Sequence, residues 1–74
     1  MIDFNDYSQF EIKQMLCQRG ELFDDCIGNM EKYGGGFVQE LSNLCRHADN
    51  VNLKKIAEAF FNYFTEYQPK LWKK

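Results

Sequence analysis

Apolar residues recur at helical spacing along most of this chain. In "ELFDDCIGNMEKY", Leu22, Phe23, Cys26, Ile27, Met30 and Tyr33 fall three or four apart, while Asp24, Asp25, Glu31 and Lys32 take the opposite side. That pattern predicts an amphipathic helix. Gly28 lies on its polar side, so packing against the main core of this helix does not explain it. Upstream, "DYSQFEIKQMLCQRG" starts with Ser8 and Glu11 at capping-box spacing. Ile12, Met15 and Leu16 share a face there, while Phe10 and Cys17 point elsewhere. The pattern fits a helix ending near Gly20, or one long helix passing through it.

Downstream, "GFVQELSNLCRHA" carries Phe37, Val38, Leu41, Leu44, Cys45 and Ala48 on one arc, which predicts another helix. "RHADNVN" is a polar break, with Asn50 or Asn52 placed to cap the last helix. "NLKKIAEAFFNYFTEY" then spreads Leu53, Ile56, Ala57, Phe60, Phe61, Tyr63, Phe64 and Tyr67 over an arc of about 160°, against the roughly 100° that one core asks for. Either this last helix is central, or part of its aromatic face meets another molecule. Pro69 stops it. The expected fold is all-α: a single domain over 1–74, built as a small bundle of three to four helices.

Gly34-Gly35-Gly36 separates two of these patterns. A phosphate loop would need a following Lys-Ser/Thr or GxGxxG spacing, and a preceding strand. None is present, so the run reads as a tight helix-hairpin corner. In that reading Gly34 takes a positive φ just past one helix, Gly35 lets the chain reverse, and Gly36 is the N-cap of the next.

With 74 residues, such a domain buries only about 60% of the surface its unfolded chain exposes. Yet the composition is 45% hydrophobic and 16% aromatic, more large side chains than a small core hides. Self-association or a docking face is the expected outlet, and a homodimer is the simplest form. The last helix and tail supply the candidate partner-binding residues: Phe61, Tyr63, Tyr67, Leu71 and Trp72, with Lys54 and Lys55 at the start of that helix. Leu71 and Trp72 sit between lysines, as an anchor that fills a pocket with charge at its rim. Trp72 folded back on its own core is the competing placement.

The net charge is −2, with residues 1–32 at −4 and residues 33–74 at +2. Whole-chain electrostatics therefore disfavour nucleic acid. A helix-turn-helix across "HADNVN" would present Lys54, Lys55, Glu58, Asn62, Thr65 and Glu66, and two of those repel phosphate. A small DNA-binding regulator is thus the alternative reading. An undiluted basic stripe at Lys54, Lys55, Lys70, Lys73 and Lys74 would favour it; an apolar patch would favour protein binding.

Enzymatic chemistry has little support. Cys45 and His47 lie about 200° apart on a helix and cannot share a metal. Asp24 and Asp25 diverge by about 100°. No serine has a readable base and orienting group. No catalytic, metal-ligating or cofactor-binding residue is expected. Cys17, Cys26 and Cys45 are odd in number and match no zinc spacing, and no N-terminal apolar targeting segment is present. Free, mostly buried thiols and a cytoplasmic location are expected. No apolar run approaches the roughly 18 residues of a membrane span.

One stretch is similar to a known group. Tyr33, Gly34, Gly35, Phe37 and Val38, then Leu41, then Ala48, Asp49 and Asn52 match a pattern in small, largely uncharacterised helical proteins of phages and prophages. There a Tyr-Gly-Gly-small-Phe-Val turn opens a helix, and an Ala-Asp-x-x-Asn segment leads into a last helix ending in aromatics. The match covers the C-terminal half. It departs at Gly36, where that pattern often has Ser. The resemblance carries no catalytic residues. It implies a mobile-element origin, and with it an inhibitor of host, or host-defence, machinery acting by protein binding.

Overall fold

The computed structural model describes residues 3–72, with side chains described as far as Lys70. The fold is all-α. Five α-helices are present among the described residues: α1 (Gln9–Cys17), α2 (Glu21–Tyr33), α3 (Gly36–His47), α4 (Asn50–Ala59) and α5 (Phe61–Glu66). Short 3-10 turns lie at Phe4–Asp6 and Pro69–Trp72. The helix α2 packs chiefly on α3, and α4 on α1. The helices α1 and α2 lie side by side, and the second 3-10 turn leans on α2. One hydrophobic cluster, running from Phe4 to Tyr67, draws on all five helices.

The capping box forms as its spacing predicts. Ser8 Oγ accepts from the Glu11 backbone N–H at 3.2 Å, and Glu11 Oε1 accepts from the Ser8 N–H at 2.9 Å. Ile12 and Leu16 of α1 enter the core, while Phe10 remains 67% exposed.

Residues 9–33 form two helices, and the break falls at Arg19. Arg19, not Gly20, takes the left-handed conformation, with φ 56°. A side chain explains the choice. Arg19 Nη1 donates to the Cys45 carbonyl at 3.0 Å, and Nη2 donates to the Ala48 carbonyl. Both acceptors lie at the C-terminal end of α3, where carbonyls lack helical partners and the helix dipole favours a cation. The guanidinium also stands 5.1 Å from the centre of the Phe23 ring.

The glycine corner forms, but by a different mechanism from the one expected. No glycine among the described residues has a positive φ; Gly34 has φ −80° and ψ 157°. Gly34 is needed for space. A Cβ on it would sit 2.5 Å from the Met30 carbonyl oxygen and 2.7 Å from Val38 Cβ, because the first turn of α3 presses on the last turn of α2. The N-cap of α3 is Gly35, one residue before the expected Gly36. A Cβ on Gly35 or Gly36 would meet nothing within 4 Å. Arg46 and Glu31 clamp the hairpin from outside with two charged hydrogen bonds, 2.7 and 2.9 Å long.

Two further expectations are corrected. Asp49, rather than Asn50 or Asn52, caps α4, its side chain accepting from the Asn52 N–H at 2.8 Å. The last helix is not continuous over 53–67. It breaks at Phe60 (φ −119°, ψ 30°) into α4 and α5. The break resolves the wide aromatic arc: Leu53 and Ala57 are buried from α4, and Phe64 and Tyr67 from the segment beyond the bend. The chain then returns to its start. Asn29 Nδ2 donates to the Tyr67 carbonyl at 3.1 Å, and Lys70 pairs with Asp3 at 2.8 Å.

Candidate docking surfaces

The described members of the set proposed from the sequence do not form one patch. Tyr67 is 7% exposed and belongs to the core, which removes it from any docking face. Phe61 is half-buried. Its ring stacks on Phe4 at 6.2 Å, and Lys13 Nζ lies 5.4 Å from its centre, so it seals the N-terminal segment onto the bundle. Tyr63, two residues on, points the other way. Its ring lies 5.5 Å from Phe37 and 6.0 Å from Phe60. Lys54 and Lys55 are exposed on α4. The side chains of Leu71 and Trp72, and all of Lys73 and Lys74, lie outside the described residues.

Around Tyr63 a surface cluster assembles that sequence reasoning missed. Phe37 opens α3 and leans across to the α4–α5 junction, with its ring 6.1 Å from Phe60 in an edge-on arrangement. Phe37 stays 57% exposed, and Leu44 is 54% exposed. The two are seven residues apart, which sets them on one side of α3 about 10.5 Å from each other. Periodicity alone assigns both to the buried arc, and the structure corrects it. The set that α3 buries is Val38, Leu41, Ser42 and Cys45. Those four alone satisfy helical spacing, so Phe37 and Leu44 are surplus to the core. Ser42 hid this, because a serine reads as surface. It is fully buried, with its hydroxyl donating to the Gln39 carbonyl at 2.6 Å.

A concavity lies between α1 and α4. Phe10, Lys13, Gln14, Cys17 and Gln18 form one wall, and Lys54 and Glu58 the other, around about 480 Å³.

Burial pushes the Cys26 thiol up to about 12 and the Cys45 thiol up to about 11. Cys17 has the cationic neighbours that sequence reasoning did not foresee, Lys54 and Arg19. Desolvation outweighs them, and its thiol too is raised. Among the described residues, no three His, Cys, Asp or Glu side chains gather as metal ligands. His47 sits at the end of α3 with Nδ1 3.0 Å from the Asn43 carbonyl oxygen. No described helix is long and apolar enough to cross a membrane. The basic stripe is thinned: Lys70 is engaged by Asp3, and Glu58 shares the α1–α4 groove with Lys54. No protein-family model matches the chain, and neither a curated protein nor a solved structure matches it.

Proposed function

We propose that this protein is a non-enzymatic protein-binding module that docks its partner on the face made by Phe37, Leu44, Phe60 and Tyr63. The observation that carries the reading is the cluster of three aromatic rings, with centroids 5.5 to 6.1 Å apart, at a surface where Phe37 and Leu44 remain more than half exposed. Single exposed apolar residues are ordinary. A contiguous aromatic cluster with a leucine two turns along the same helix is the composition of a binding hot spot. The phage and prophage resemblance supports a host protein as the partner and inhibition, as of a defence protein, as the outcome. The regulator reading is weaker, because Lys54 shares the α1–α4 groove with the acidic Glu58 and Lys70 is paired with Asp3.

The test is affinity capture from host lysate with wild-type protein, the double variant Phe37→Ser/Leu44→Ser, and Asp24→Ser as a distant surface control. Replacing exposed residues leaves the core intact, and circular dichroism verifies this. The reading expects a specific protein retained by wild type and control and lost by the double variant. Identical capture by all three folded proteins, or recovery of nucleic acid alone, refutes it.

A further inference from the structure

Residues 3–7 lie on the bundle as a strap and share no residue with that docking face. Their described hydrogen bonds close almost entirely on the strap itself. The Asn5 N–H donates to Asp3 Oδ1, the Asp6 N–H to the Asp3 carbonyl and the Tyr7 N–H to the Phe4 carbonyl, at 3.0 to 3.3 Å. One polar contact crosses to the body: Lys70 Nζ pairs with Asp3 Oδ2 at 2.8 Å, with both side chains partly in water. Such a pair holds weakly. Phe4 is the one buried side chain of the strap, and its ring stacks on Phe61. The strap joins α1 through extended backbone at Tyr7 and Ser8, and the capping box secures the first turn of α1 without it. Residues 3–7 therefore lift off as a local opening that leaves the helices in place.

Opening bares the Phe61 ring, with Lys13 Nζ 5.4 Å from its centre, and frees the Lys70 ammonium. The strap itself shows what fits there: a carboxylate for Lys70, and on the next residue a ring for Phe61. We infer that this site takes a partner peptide in which an acidic residue is followed directly by an aromatic one, and that Asp3-Phe4 is a tethered occupant which such a peptide displaces. Tethering gives the strap a high effective concentration, so the peptide binds in proportion to the open fraction.

The probe is the acetylated and amidated peptide Asp-Phe-Asn-Asp-Tyr-Ser, the sequence of residues 3–8. Calorimetric titration compares the full-length wild type with full-length Asp3→Asn/Phe4→Ser, whose strap no longer fills the site. The variant should bind at least about tenfold more tightly than wild type. Serine in place of the peptide's phenylalanine should abolish binding, and asparagine in place of its first aspartate should weaken it about threefold. Asp24→Ser added to the variant should change nothing. A helical variant that does not bind overturns the inference, as does equal affinity for both proteins or indifference to the peptide's phenylalanine. A second measurement on wild type decides the case if the variant loses its fold. Chymotrypsin cuts after Phe4 only when that ring leaves Phe61. The initial rate of this cut, read by mass spectrometry, should be the same in wild type and Gly34→Ala, because local opening bypasses global unfolding. A cut that accelerates with global destabilisation makes Phe4 ordinary core and overturns the strap.

Discussion

Replacing Arg19 separates two effects that act on one residue. In Arg19→Ala the two hydrogen bonds to the C-terminal end of α3 vanish, as does the cation over Phe23. Hydrogen bonds from a charged donor contribute about 1.5–3 kcal/mol when buried. Arg19 is half-buried and water re-solvates the freed carbonyls, so about 1 kcal/mol for each is the better figure. The cation–ring contact adds about 0.5–1 kcal/mol. The expected loss is about 2–3 kcal/mol, against a total stability of about 4–11 kcal/mol for a chain this long. Alanine also keeps a Cβ at φ 56°. Glycine removes that strain of about 1–2 kcal/mol and returns about 0.4–1 kcal/mol as unfolded-state entropy. Arg19→Gly should therefore be more stable than Arg19→Ala by about 0.5–1 kcal/mol, although both lose the same side chain. Urea unfolding followed by circular dichroism, with m-values compared, measures both differences. An Arg19→Ala protein within about 0.5 kcal/mol of wild type would refute the latch, and alanine outlasting glycine would refute the strained turn.

The same geometry sets other outcomes. Gly34→Ala should cost at least about 2 kcal/mol in urea melts through its clash with Met30 and Val38, whereas Gly28→Ala, whose Cβ meets nothing within 4 Å, should stabilise by about 0.5–1 kcal/mol. Arg46 holds the Glu31 carboxyl below its ordinary value, so this pair stabilises above the unfolded carboxylate pKa and the contribution is lost as pH falls through the lower folded value. Melts between about pH 5 and pH 2 should show a decline that Glu31→Gln reduces. Thiol labelling of native protein at neutral pH should modify Cys17 slowly and leave Cys26 and Cys45 untouched until urea unfolds the chain; rapid labelling of all three would contradict their burial.

The helices α2 and α3 were legible because each has a dense apolar face, and the start of α1 because Ser8 and Glu11 form a local motif. The break at Phe60 was not, since it follows no glycine or proline; the apolar arc simply continues across it while the backbone turns. Arg19 was illegible for another reason. Its conformation depends on carbonyls at positions 45 and 48, which no local pattern brings near it. At Gly34 the residue type was informative but the cause was misassigned, because sequence alone does not separate a need for positive φ from a need for space. The proposed docking face was half legible. The surplus of aromatics was plain in the composition, but their distribution depends on which α3 residues fill the core. Serine at position 42 took a place that a hydrophobic count would have given to Phe37 or Leu44.

The pairing of α2 with α3 and of α1 with α4 also sets an order of assembly. The α2–α3 hairpin closes over Gly34 and Gly35 alone, so its contacts cost little loop entropy. The α1–α4 contact encloses the whole of that hairpin, joining residues 9–17 to residues 50–59. Its loop is some thirty residues long and closes readily only once the hairpin has shortened it. A nucleus of α2 and α3 with α4 and α5 arriving last is the kinetic counterpart of this topology. Mutations at Met30 and Val38 would then slow folding, while mutations at Leu53 and Phe64 would mainly hasten unfolding.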